Sequence, residues 1–102
     1  MPQFITVARA EDIPVGTPKQ VFVDDQPIAI CNVDGEFFAV SDICTHDAYY
    51  LSYGRLDGDE IECPMHRAVF NVRNGEVEVP PAEKALRTFA CRVVDGEVQV
   101  EV

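Results

Sequence analysis

The chain is 102 residues long, and several things are missing from it. No apolar run approaches the roughly 18–20 residues that a membrane helix needs. The start, Met1-Pro2-Gln3-Phe4, has neither the basic segment nor the apolar stretch of a signal peptide, so a cytoplasmic location is expected. Positive charge is scarce, with 8 Lys and Arg against 18 Asp and Glu and a formal net charge of -10. Such a surface repels nucleic acid and anionic membranes and suits a soluble protein that meets basic patches on its partners. There are no internal repeats, no low-complexity segment and no sustained helical period. No nucleotide motif and no catalytic acid–base pair stands out, which points to a carrier rather than a complete enzyme.

What remains is a single-domain chain with 47% hydrophobic residues, enough for one modest core. Its punctuation is that of a β protein. Asp34-Gly35 and Asp95-Gly96 lie between apolar, β-branched runs, a hairpin signal, and Asp57-Gly58 and Asn74-Gly75 are further turns. The runs between them predict strands over 4–8, 20–23, 28–33, 37–41, 61–62, 68–72, 77–79, 88–94 and 97–102. In the last pair, Phe89, Cys91 and Val93 share one face, and Val98, Val100 and Val102 share another, with Arg92, Gln99 and Glu101 opposite. Ala82–Leu86 has room for a single turn. The expected fold is all-β, an antiparallel sandwich base at about 1–41 and 82–102. A small subdomain at about 42–81, closed by Pro80-Pro81, is inserted into it.

The inserted segment holds both histidines, two of the four cysteines and all three tyrosines. Cys44-Thr45-His46 and Cys63-Pro64-Met65-His66 are separated by residues 47 to 62, a spacer of 16. Cysteine and histidine are soft and borderline metal ligands, and close spacing lets one loop aim two of them at one site. Two such loops make a four-ligand clamp. Zinc would take all four tetrahedrally; a [2Fe–2S] cluster would take two cysteines on one iron and two histidines on the other. A Cys-His pair followed by a second Cys-His pair fits poorly with the usual zinc order, a Cys pair and then a His pair.

The two pairs at this spacing resemble the Rieske motif. Leu51-Ser52-Tyr53-Gly54, Asp57–Glu62, Phe70-Asn71 and Asn74-Gly75 are also similar to that family. The short length is similar to that of the soluble ferredoxins of bacterial aromatic ring-hydroxylating dioxygenase systems. The resemblance implies a Rieske fold and one [2Fe–2S] cluster per chain, held by Cys44, His46, Cys63 and His66. It implies a shuttle of one electron from a flavin-dependent ferredoxin reductase to a terminal Rieske non-haem iron oxygenase in aromatic hydrocarbon catabolism. A small Rieske-like subunit of a nitrite reductase and a zinc-stabilised binding module are the alternatives.

The quinol-oxidising members of the family carry an extra, disulfide-forming cysteine in each cluster loop. Here those positions read as Tyr49 or its neighbours, and Met65, so the resemblance implies no disulfide at the tip. Those members also place serine and tyrosine hydroxyls where this chain has Ala68 and Phe70. Fewer donors stabilise the reduced cluster less, so the potential is expected toward the low end of roughly −150 to +300 mV. The two neutral imidazoles leave the cluster less negative than four thiolates would. A midpoint potential that falls as pH rises through the histidine pKa values of the oxidised state is expected. Arg67 stands where the family often has glycine.

His46 and His66 are expected at the domain tip. Asp47, Asp57, Asp59, Glu60 and Glu62 are expected to form an acidic rim that steers a basic partner face. Cys31 and Cys91 are read as buried free thiols. Tyr49, Tyr50 and Tyr53 are read as packing under the loops.

Overall fold

A computed structural model describes residues 3–45, 49–64, 67–79 and 84–101. Eleven strands run through these residues: β1 (Phe4–Arg9), β2 (Lys19–Val23), β3 (Gln26–Val33), β4 (Glu36–Ser41), β5 (Arg55–Asp57), β6 (Glu60–Glu62), β7 (Val69–Asn71), β8 (Val77–Val79), β9 (Thr88–Phe89), β10 (Cys91–Val94) and β11 (Glu97–Glu101). They form three antiparallel sheets in the orders β1-β11-β10, β2-β3-β4-β9 and β5-β6-β7-β8. Two single 3₁₀ turns, Ala10–Asp12 and Leu51–Tyr53, are the only helical elements among the described residues. The all-β architecture expected from the turn spacing is the one observed.

The β2-β3-β4-β9 sheet lies between two cores, and the alternation of side chains along a strand explains how. On β3, Ile28 and Ile30 join Ile13, Val21, Ala39, Phe89, Val98 and Val100 in one core, beside the sheet of β1, β11 and β10. Ala29, Cys31 and Val33 point the other way, into a second core with Val40, Leu51, Leu56, Ile61 and Phe70. A strand apolar on both faces is one that is covered on both faces. The register keeps the sets apart, because Ile30 stands opposite Ala39 and Cys31 opposite Phe38. The second core is where Cys44, Leu51, Ile61, Cys63, Phe70 and Leu86 close onto the middle sheet.

Asp34 and Gly35 take φ values of 51° and 94°, and Asp95 and Gly96 take 51° and 78°, as two-residue hairpin turns with both central residues left-handed require. Asp24-Asp25 makes the same turn between β2 and β3, at φ values of 50° and 66°, with no glycine to signal it. The expected strand over 88–94 is broken at Ala90. Thr88 and Phe89 pair with β4, whereas Cys91–Val94 pair with β11, so the chain changes sheets there. Val93 shares a face with Cys91 but remains 44% exposed, on a strand at the edge of its sheet. Strand β5 is not among the expected strands, since Leu56 and Asp57 read as the start of a turn; the turn itself lies one step on, at Gly58-Asp59. No turn forms over Lys84–Leu86, whose chain is held instead by Leu86 N–H donating to the Gly75 carbonyl, and residues 82–83 lie outside the described residues.

Candidate metal centre

The two loops that carry the cysteine–histidine pairs are built alike. The first leaves β4 and returns at an isolated antiparallel bridge between Ile43 and Tyr50. Inside that bridge the Cys44 N–H donates to the Tyr49 carbonyl at 3.0 Å. The second is the connection between β6 and β7, and there the Cys63 N–H donates to the Ala68 carbonyl at 2.8 Å. Each loop is thus pinched at its base by a bond from the cysteine to the residue five positions later. Pinching fixes the cysteine backbone at the base of each loop, with the tip lying further along the sequence. His46 and His66 occupy those tips in sequence and lie outside the described residues, as do Asp47 and Met65.

Both cysteines are buried, Cys44 at 2% and Cys63 at 0% exposure, and both belong to the second core with Leu51, Ala68 and Phe70. Neither is in a disulfide. Two thiols at the bases of two matched loops, turned toward one dry core, suit a soft metal centre: thiolate is the ligand such a centre prefers, and burial keeps water off it. Ala68 and Phe70, both fully buried under the second loop, bring no hydroxyl there.

The first loop is anchored by a residue that sequence reasoning passed over. Asp42, two positions before Cys44, is fully buried. Its carboxylate accepts from the Ser52 N–H at 2.7 Å, the Ser52 hydroxyl at 2.6 Å and the Gln20 side-chain amide at 2.9 Å. Its carbonyl accepts the Leu51 N–H at 2.8 Å. Burial holds its pKa above the usual carboxylate value, and the donors from Ser52, Gln20 and Leu51 offset only part of that rise. A lone aspartate closing the apolar run of β4, beside a ligand loop, is the signal that could have found it. A second tie runs from the Thr45 hydroxyl to the Lys84 carbonyl at 2.6 Å and holds the first loop to the segment that returns to β9. Pro80 and Pro81, expected to close the inserted subdomain, lie outside the described residues.

The tyrosines do not pack under the loops. Tyr49, Tyr50 and Tyr53 are 42%, 36% and 71% exposed, and it is Leu51 that the 3₁₀ turn drives into the core. Tyr50 and Tyr53 meet edge to face instead, with ring centroids 5.5 Å apart. Of the acidic rim, Asp57 and Glu60 are exposed and Glu62 is half-buried. These three border a shallow groove with Arg55 and Val69. Asp59 is held locally, accepting from Arg73 at 3.2 Å and Asn71 at 3.4 Å. Cys31 lies fully buried, its thiol pushed up to about 12, chiefly by burial and then by the charges of Asp42 and Cys91. Cys91 is only half-buried, because it sits on the edge strand, and burial pushes it up to about 11.

Residues 3–90 match the family model described as Rieske [2Fe-2S] domain. The chain is 42% identical over 99 residues to the biphenyl dioxygenase ferredoxin subunit of Pseudomonas sp. (strain KKS102), covering 96% of this chain and 91% of that one. Among solved structures it superposes on the Sphingomonas yanoikuyae B1 ferredoxin with a TM-score of 0.93 at 29% identity, over 98% of this chain and 99% of that one. The ferredoxin in a complex of reduced oxygenase and oxidised ferredoxin of carbazole 1,9a-dioxygenase gives a TM-score of 0.90 at 41% identity, over 94% of this chain and 99% of that one. The chain belongs to the Rieske [2Fe–2S] domain family. Its cofactor is that family's [2Fe–2S] cluster, and its kinship is with ferredoxins, which carry electrons and are not catalysts on their own.

Proposed function

We propose that this chain is the ferredoxin of an aromatic ring-hydroxylating dioxygenase system. It takes one electron from a flavin-dependent ferredoxin reductase and gives it to a terminal Rieske non-haem iron oxygenase in the cytoplasm. Cys44 and Cys63 hold one iron of the cluster, and His46 and His66 hold the other. Residues 42–81 form the cluster-binding part of one domain. When bound, the cluster supplies a reversible one-electron store. The protein's own residues bury its sulfur side, hold the two loops in register and leave the loop tips as the contact end.

The observation that carries this reading is the matched pair of pinched loops, with both thiols buried in a single core. Iron and sulfide analysis of the purified protein tests it. Two irons and two sulfides per chain, visible absorption and a rhombic EPR signal on reduction are expected. His46→Ala or His66→Ala should each abolish that signature. A colourless protein with one zinc per chain overturns the reading. Electron transfer from the reduced protein to a dioxygenase oxygenase tests the partner assignment.

A further inference from the structure

Among the described residues, five that are not glycine have a left-handed backbone, and four of them are aspartates in the hairpin turns. Aspartate tolerates that region because its short side chain can bond locally. The fifth is Arg67, with φ 59°. Its N–H donates to the Cys63 carbonyl at 3.1 Å, so it is the corner at which the second loop turns back toward β7. Glycine would make this corner without strain. The chain spends strain to place an arginine beside His66.

No side-chain contact of this arginine among the described residues accounts for the strain. It is exposed. Its guanidinium has no hydrogen bond, ion pair or ring contact among the described residues. Four of the other five arginines are engaged, Arg9 with Glu11, Arg73 with Asp59 and Glu36 and over the Phe38 ring, Arg87 over Phe89, and Arg92 over Phe4, while Arg55 lines the acidic groove with Asp57, Glu60 and Glu62. With 18 acidic residues available, an unengaged cation at this corner is conspicuous.

We propose that Arg67 is a docking residue whose guanidinium pairs with a carboxylate on the terminal oxygenase and fixes the register of the encounter. The inference rests on the function proposed above and adds a specificity determinant to it. The fork of donors on a guanidinium matches a carboxylate in a way a point charge does not. In water an exposed charge is screened over a Debye length of about 8 Å at physiological ionic strength, so its pull on the cluster of the free protein is weak. Enclosed in an interface, the same charge is desolvated and strengthens one docking pose. A cation at this corner of an acidic chain also penalises poses that bring it against a basic patch.

The test compares Arg67→Gln, Arg67→Lys and Arg67→Gly in the iron-loaded protein. The terminal oxygenase and the ferredoxin reductase of a biphenyl dioxygenase serve as probes. For Arg67→Gln the second-order rate of electron transfer to the oxygenase should fall about tenfold at low salt, the loss expected of one close interfacial charge pair. Its visible spectrum, midpoint potential and rate of reduction by the reductase should stay as in the wild type. Arg67→Lys should recover part of the rate. Arg67→Gly should melt no lower than the wild type and still transfer slowly, which a merely structural arginine would not do. An unchanged oxygenase rate in Arg67→Gln overturns the proposal. So does a slowed rate that follows a shifted potential, since the charge would then act on the cluster, or a defect confined to the reductase. Wild-type protein that passes no electron to the oxygenase sinks the proposed function, and this inference with it. Transfer by the wild type with an indifferent Arg67→Gln sinks this inference alone.

Discussion

Gly54 lies against the backbone of Glu62 so closely that a Cβ at position 54 would run into the Glu62 carbonyl oxygen, with the Pro64 ring 3.2 Å away. Glu62 and Pro64 flank Cys63. The 3₁₀ turn that ends at Gly54, through its N–H to the Leu51 carbonyl at 2.9 Å, therefore presses directly on the base of the second loop. The obstacle is backbone rather than a flexible side chain, so it cannot swing aside. Gly54→Ala should cost about 3 kcal/mol, at the upper end for overpacking, and should lower the iron content of the purified protein. A melting temperature and iron load equal to the wild type would show that the contact is not needed.

Asp42 links three elements through one carboxylate, and its two obvious replacements should separate shape from charge. Asp42→Ala strands the Ser52 N–H and the Gln20 amide in a buried site and should cost about 3 kcal/mol. Asp42→Asn keeps one carbonyl for the Ser52 N–H, while the Ser52 hydroxyl and Gln20 amide can turn to accept from the new NH₂ group. It should cost about 1 kcal/mol. Chemical denaturation of both variants, followed in the far-UV, checks the order; equal costs would mean that the hydrogen bonds are not what Asp42 contributes.

The sheets were legible in the sequence because alternation and Asp-Gly turns report directly on backbone geometry. Those signals failed where the backbone does something local that several residue types allow. Asp24-Asp25 turns as tightly as Asp34-Gly35 with no glycine, and β5 is three residues long, too short for a period to show. The ligand loops were legible as a spacing of cysteine and histidine. Their support was not. Asp42 meets Gln20 across 22 residues of chain and Ser52 across 10, and Thr45 finds Lys84 across 39, contacts no local pattern encodes. The tyrosines were misplaced because three aromatics in a row of loops read as core, when one 3₁₀ turn can bury only Leu51 and leaves its neighbours outside.

Cys31 should make the fold lose stability in alkali. An unfolded thiol gives up its proton near pH 9.0, while Cys31 in the core holds it to about 12. Between those values the folded state binds more protons than the unfolded one, so stability is complete below pH 9.0 and is lost as pH rises through that window. The limiting slope for one thiol is about 1.4 kcal/mol per pH unit. The measurement is the change in unfolding free energy from pH 8 to pH 10.5 in the wild type and in Cys31→Ala. The alanine variant starts lower because of the cavity, but it should lose less over the interval. Equal losses would mean that Cys31 ionises in the folded protein as it does in the chain at large.

Iron removal should loosen the two loops and spare the middle sheet. The Cys44 and Cys63 amides donate to Tyr49 and Ala68 at the bases of two loops, whereas β3 is paired on both sides and buried on both faces. A metal that binds only the folded arrangement adds its binding free energy to folding, and the part of the chain it orders is the part released when it leaves. Chelation in the presence of a reductant should lower the melting temperature. Hydrogen exchange at the Cys44 and Cys63 amides should then accelerate by at least tenfold, a loss of about 1.4 kcal/mol of local protection, with Ile30 and Cys31 little changed. If the loop amides exchange at the same rate with and without iron, the pinches alone hold the loops, and the protein presents its ligands as a preformed site rather than one the cluster completes.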